Sequence, residues 1–145
     1  MNKSEIIACL NAHKRVHVAT AEGNTPHVRR CRIHKADEEN GIILETLKHK
    51  PLYKQLCENP RVELVFDDYQ ECGEQISDVT EIRVSGTVEF FEDKQIEKEI
   101  LAERHTIRDW VEHGIVLVTY RLRNGVATVW TLDTEFEPKT YIQLS

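Results

Sequence analysis

Three arginines crowd into Thr25-Pro26-His27-Val28-Arg29-Arg30-Cys31-Arg32-Ile33, in a chain whose formal net charge is −6. A guanidinium is a planar fork of donors, suited to a phosphate or carboxylate through paired charge-assisted hydrogen bonds. The segment reads as a strand, and alternation sends Arg29 to one face and Arg30 and Arg32 to the other. Thr46 ends the next strand-like stretch, and the basic run Lys48-His49-Lys50 follows it. If the two strands pair, hydroxyl, ammonium and guanidinium groups can surround one phosphate, and a following helix N-terminus adds backbone donors. The competing reading is a solvated sheet edge, where Lys and Arg discourage further pairing.

The elements that would position these groups follow from the pattern. Asn2 and Glu5 have the spacing of a capping box before Ile6, Ile7 and Leu10, which predicts a short N-terminal helix reaching toward His13. Arg15 to Thr20 alternates as a strand, and Glu22-Gly23-Asn24 turns it into the arginine strand. Asn40-Gly41 is a tight-turn signal ahead of the strand Ile42 to Thr46. Pro51 suits the first turn of a helix carrying Leu52 and Leu56, ended by Asn59-Pro60 before the strand Val62 to Phe66. Asp67 to Val79 reads as a polar, acidic loop, and Thr80 to Phe90 as a strand with Gly86 at a bulge or close approach. Asp93 caps a helix to about Ala102, and a second helical piece runs from about Thr106 to His113. Strands Ile115 to Leu122 and Val126 to Thr131 are predicted to flank a turn at Arg123-Asn124-Gly125, with a last strand over Thr140 to Leu144. Seven strands joined mostly by hairpin-like turns favour an antiparallel barrel over a doubly wound parallel sheet.

The remaining chemistry is sparse. At 145 residues the chain fits one domain, residues 1–145. A pI near 5.6 argues against broad attraction to nucleic acid or an anionic membrane, so an anionic ligand is expected to be small. No apolar run approaches the roughly 20 residues needed to cross a bilayer, and the N-terminus lacks an apolar signal core, which gives a cytoplasmic expectation. Cys9, Cys31, Cys57 and Cys72 are too scattered for a zinc or disulfide framework, and no metal site is expected. The histidines form no ligand set, and the GxSxG, HExxH, Walker and GxGxxG signatures are absent. Asp67, Asp68, Glu71 and Glu74 could meet a cation or a basic substrate, although such clusters are usually solvated loops.

At these residues the chain resembles the pyridoxamine 5'-phosphate oxidase-like family of FMN-binding split barrels, from about Arg15 to Thr131. Pro26-His27-Val28-Arg29-Arg30-Cys31-Arg32 looks like the family's flavin-binding strand, with an arginine three positions after a proline. Thr46 resembles its strand-end threonine and Lys48 to Lys50 its phosphate loop. Leu56 through Leu64, with Asn59-Pro60, looks like its helix-to-strand segment, Ile82-Arg83-Val84-Ser85-Gly86 like its next strand, and Tyr120 through Trp130 like its late hairpin. The resemblance implies a mainly β fold with short helices, a split antiparallel barrel, and a homodimer holding FMN at the subunit interface. It implies that Arg29 contacts the phosphate or ribityl chain and that Arg30, Cys31 and Arg32 run beside the ring system. It further implies that Thr46 holds the cofactor, that Lys48 and Lys50 take the phosphate, and that Trp130 comes from the partner. The implied function is a flavin-dependent oxidoreductase acting with a small-molecule substrate or electron donor. The alternative is a non-catalytic module that binds FMN, heme or another cofactor, and a cofactor-free domain binding an acidic partner is a third reading. The vitamin B6 oxidases of the family carry glutamine where this chain has Glu81, and a C-terminal Arg-Leu-His-Asp-Arg where it runs Thr131-Leu132-Asp133-Thr134, which argues against pyridoxamine phosphate oxidation. No catalytic residue is assigned; His17 and His34 are the candidates should a proton be needed.

Overall fold

The computed structural model describes residues 1–69 and 79–145, with the backbone alone at Asp68 and Tyr69. Its elements run α1 (Lys3–His13), β1 (Arg15–Glu22), β2 (Thr25–Asp37), β3 (Gly41–Leu47), α2 (Pro51–Glu58), β4 (Arg61–Tyr69), β5 (Val79–Phe91), α3 (Lys94–Glu103), α4 (His105–Glu112), β6 (Leu117–Trp130) and β7 (Ile142–Gln143). A short 3₁₀ turn at Leu132–Thr134 lies between the last two strands. The sheet order is β3-β2-β1-β4-β5-β6-β7, and β3 also pairs with β6. Six strands therefore close into a barrel in which every pairing is antiparallel. β7 adds to the outer half of β6 through Val126 and Ala127. This is the split barrel with short helices that the sequence predicts.

Alternation builds the core. Val16, Val18 and Thr20 of β1 and Ile82, Val84 and Val88 of β5 are buried, and they share one cluster with Leu64, Tyr120, Leu122 and α1's Ile6 and Leu10, Thr20 apart. Each such aliphatic side chain contributes on the order of 2 kcal/mol by leaving water. The helix starts obey capping chemistry where predicted. The Glu5 amide donates to Asn2 Oδ1 at 2.9 Å while the Asn2 amide donates to Glu5 Oε2 at 2.7 Å. Asp93 Oδ1 accepts from the Gln95 and Ile96 amides at 2.9 and 3.1 Å.

Three expectations change. Arg123-Asn124-Gly125 does not join two strands: β6 is one strand of 14 residues, and the segment is a bulge where the β5 register slips between Ser85 and Thr87. Asn124 takes a φ of 53°, and opposite it a Cβ on Gly86 would lie 2.7 Å from the Arg123 carbonyl oxygen, so only glycine lets the bulge close. The last strand is two residues long, not five. Asp67 is in β4, not in a loop, while Glu71, Glu74 and Cys72 lie outside the described residues.

Candidate functional site

The functional face forms where β2, β3 and the start of α2 meet, because β2 and β3 pair as predicted, with Ile33 opposite Leu44 and Lys35 opposite Ile43. Arg29 points to the β1 side. Its Nη1 donates to Thr20 Oγ1 at 2.9 Å and to the Val18 carbonyl at 3.3 Å, and its Nη2 donates to Gln55 Oε1. Thr20 Oγ1 also donates to Gln55 Oε1, at 2.7 Å. Gln55 is buried in α2, so this network ties the arginine strand to the helix that follows the basic run. Lys50 occupies the N-cap of α2 with no side-chain cap, and Pro51 opens the helix. A lysine accepts no hydrogen bond, so the positive end of α2 is left to other acceptors.

These elements line a cleft of about 920 Å³. Its cationic residues are Lys14, Arg15, Arg29, Arg30, Arg32, Lys50 and Arg104, and its one carboxylate is Glu45. Seven cations facing one acid, in a chain of net charge −6, concentrate positive potential in a single place. Glu45 is nearly buried, its side chain 3% exposed, and it accepts from Arg104 Nη1, while its Oε2 has no hydrogen-bond partner. Thr46 is buried at the cleft wall, and Leu52 and Pro51 give it an apolar margin.

Cys31 also lines the cleft. Burial pushes its thiol up, against the opposing pull of Tyr120 and Arg29, and burial pushes the Tyr120 hydroxyl well up in the same way. Both groups are therefore neutral near pH 7, and Cys31 has the character of a packing group and not of a nucleophile.

Of the sequence-predicted residues, Arg29, Arg30, Cys31, Arg32, Thr46 and Lys50 come together in this cleft. Lys48 does not: it lines a separate hollow with Tyr53, Phe90 and Phe91. Trp130 lies in another hollow beside Glu81 and Arg83, with its indole N–H donated to Glu135. The Glu81 carboxylate is held by Arg83 at 2.6 Å, whose guanidinium it pushes up. His34 is buried, with Nε2 2.8 Å from Glu99 and Nδ1 3.8 Å from Glu103. These contacts tie β2 to α3 and place His34 outside the cleft lining, as is the exposed His17. Among the described residues no group of three metal-ligating side chains occurs.

Gln55, Glu45 and Arg104 were not anticipated. Gln55 shares a helix face with Leu52 and Leu56, and a polar residue on that apolar face was the available signal. Glu45 was comparably marked, as a carboxylate inside the apolar run Ile42 to Leu47. Nothing local pointed to Arg104, which reaches Glu45 from 59 positions away.

A profile of the pyridoxamine 5'-phosphate oxidase family matches residues 3–131. No protein of curated function matches the sequence. Among solved structures, the fold is similar to a NimC/NimA family protein from Clostridium acetobutylicum, at 19% identity and a TM-score of 0.71 over 98% of this chain and 93% of that one. It is similar to a FAD-binding protein from Mesorhizobium loti, at 17% identity and a TM-score of 0.65 over 88% and 92%. It is also similar to the heme storage protein HutZ from Vibrio cholerae, at 15% identity and a TM-score of 0.63 over 84% and 89%. A barrel of this topology with a match over nearly its whole length admits one assignment: the chain belongs to the pyridoxamine 5'-phosphate oxidase family.

Proposed function

We propose that the arginine cleft binds FMN, and that the chain is a homodimeric flavin-dependent oxidoreductase acting on a small molecule. The observation that carries this reading is the local excess of cations, seven against one carboxylate, in a cleft large enough for a nucleotide-sized ligand. The residues present fit the group. FMN brings a phosphate with nearly two negative charges, and Arg30, Arg32 and Lys50 supply charge for it, with the open end of α2 alongside. Thr46 adds a hydroxyl, and the Thr20–Gln55–Arg29 network fixes the orientation of Arg29. When bound, the flavin supplies the electron or hydride transfer, and the chain's residues bind, orient and screen it. The resemblance of the fold to a FAD-binding protein supports a flavin.

The dimer is supported by Trp130, which stands apart from its own chain's cleft, as a residue serving a second copy would. Exposed Val28, Phe136 and Tyr141, at 69%, 100% and 68%, offer apolar surface for such a contact.

The test is an absorption spectrum of the purified protein before and after FMN is added and unbound cofactor is removed by gel filtration. Flavin bands retained near one per subunit, reduced by NADH or NADPH and restored by an acceptor, agree with the proposal. Loss of all flavin on the column contradicts it, and a retained heme spectrum assigns the cleft to the other cofactor. Retained flavin that no donor reduces reassigns the protein to binding without turnover.

A further inference from the structure

The cleft continues past Glu45 and Arg104 into a second lobe of about 420 Å³ bounded by the α3–α4 corner. The two lobes differ in charge. In the first, cations outnumber acids seven to one, whereas in the second Arg32, Lys50 and Arg104 face Glu45 and Glu103. Arg32 lies 4.0 Å from Glu103 and Arg104 is bonded to Glu45, so three cations against two carboxylates leave one positive charge, with His105 also in the lining. That balance suits a singly charged anion better than a phosphate.

Arg104 is built to receive it. One side of its guanidinium is held by a carboxylate whose side chain is 3% exposed, while its own side chain is 35% exposed, which leaves a pre-oriented donor edge. Arg104 is at once the C-cap of α3 and the N-cap of α4, so the two helix dipoles oppose each other there and the attraction for an anion rests on the guanidinium itself. Trp110, 46% exposed, also lines the lobe, on the same face of α4 as the buried Ile107. An aromatic side chain and a fixed guanidinium lining the same lobe suit a flat ring that carries a carboxylate.

We propose that this second lobe binds a planar aromatic carboxylate, with its ring on Trp110 and its carboxylate on Arg104. That this molecule is the reaction partner of a flavin in the first lobe rests on the preceding proposal; the binding itself does not.

The probes are benzoate, its neutral isostere benzamide, and the equally charged but non-planar cyclohexanecarboxylate. Ligand-observed NMR titrations are run on flavin-free and FMN-loaded protein. Benzoate is expected to bind about tenfold or more tightly than either comparison compound, the ratio of one charge-assisted pair or one lost aromatic contact. After FMN loading, when Arg32 and Lys50 also serve the phosphate, binding should weaken but persist on Arg104 and Trp110. Trp110→Leu, at an exposed position, and the paired change Glu45→Gln with Arg104→Gln, which leaves no buried charge unpaired, should each abolish the preference. Equal binding of the three compounds, unchanged binding by both variants, or complete displacement of benzoate by FMN would overturn the proposal. Benzoate selectivity without flavin retention leaves this inference standing and removes the cofactor reading. Flavin retention without benzoate selectivity does the reverse.

Discussion

Gln55→Leu tests whether the arginine strand is held by the network seen in the structure. The side-chain amide oxygen accepts from Thr20 Oγ1 at 2.7 Å and from Arg29 Nη2, and the residue is only 4% exposed. A neutral hydrogen bond of this kind contributes about 0.5–1.5 kcal/mol and one to a charged donor about 1.5–3 kcal/mol. Two corrections lower the sum. Arg29 is half-buried, so water replaces part of what its guanidinium loses, and the buried leucine returns roughly 1 kcal/mol of apolar burial. The expected net loss is about 2 kcal/mol. For 145 residues that corresponds to a fall in Tm of about 6–7 °C. Urea unfolding should show a lower midpoint with an unchanged slope, which separates lost stability from a changed denatured state. Lys54→Ala is the control on the same helix: it breaks only an exposed pair with Glu58 at 4.0 Å and should cost less than about 0.5 kcal/mol. A Gln55→Leu protein within about 0.5 kcal/mol of the parent would refute the argument that this network positions Arg29.

Other consequences are as direct. Arg29→Ala should weaken FMN binding by about 1.5–3 kcal/mol in a flavin fluorescence titration, and unchanged affinity in a folded variant would remove Arg29 from the site. Iodoacetamide at neutral pH should label the exposed Cys57 well before Cys31, whose thiol burial pushes up, and mass spectrometry showing Cys31 labelled first would contradict its assignment as a packing group. Acid stability provides a further check. The hydrogen bond to His34 holds the Glu99 carboxyl low, and at Asp37 burial opposes ionisation but is outweighed by hydrogen bonds from the Asn40 backbone and side chain. Because both values are depressed on folding, their contribution is complete above the ordinary carboxylate range and is lost as pH falls through the lowered values. The Asp37→Asn and Glu99→Gln double variant should therefore show a shallower loss of urea midpoint between about pH 6 and pH 3 than the parent, and an identical slope would dismiss both contacts.

Much of this arrangement is written in local residue choice. The Asn2–Glu5 capping box, the Gly23-Asn24 turn, Pro51 and Asn59-Pro60 each specify backbone geometry within a few positions, and each element forms where its signal stands. Asn124-Gly125 shows the limit. An asparagine at positive φ followed by glycine serves a tight hairpin and a bulge equally well, and the deciding fact is Gly86 packed against Arg123 from a neighbouring strand. The site divides in the same way. The arginines, Thr46 and Lys50 converge because they lie on two paired strands and the helix that follows; strand pairing predicts that juxtaposition, whereas alternation alone separates Arg29 from Arg30 and Arg32. The Glu45–Arg104 pair and the burial of His34 against Glu99 depend on where α3 and α4 pack across the barrel, which no local pattern encodes. Lys48 illustrates the converse: two positions from Lys50, it is carried to a different hollow by the turn into α2.

A crystal structure of the protein loaded with FMN tests the central claim most directly. The account predicts the phosphate within hydrogen-bond reach of Arg30, Arg32 or Lys50 at the open end of α2, with the ring system running along β2. Flavin density seated elsewhere, with these side chains contacting only solvent, would contradict it.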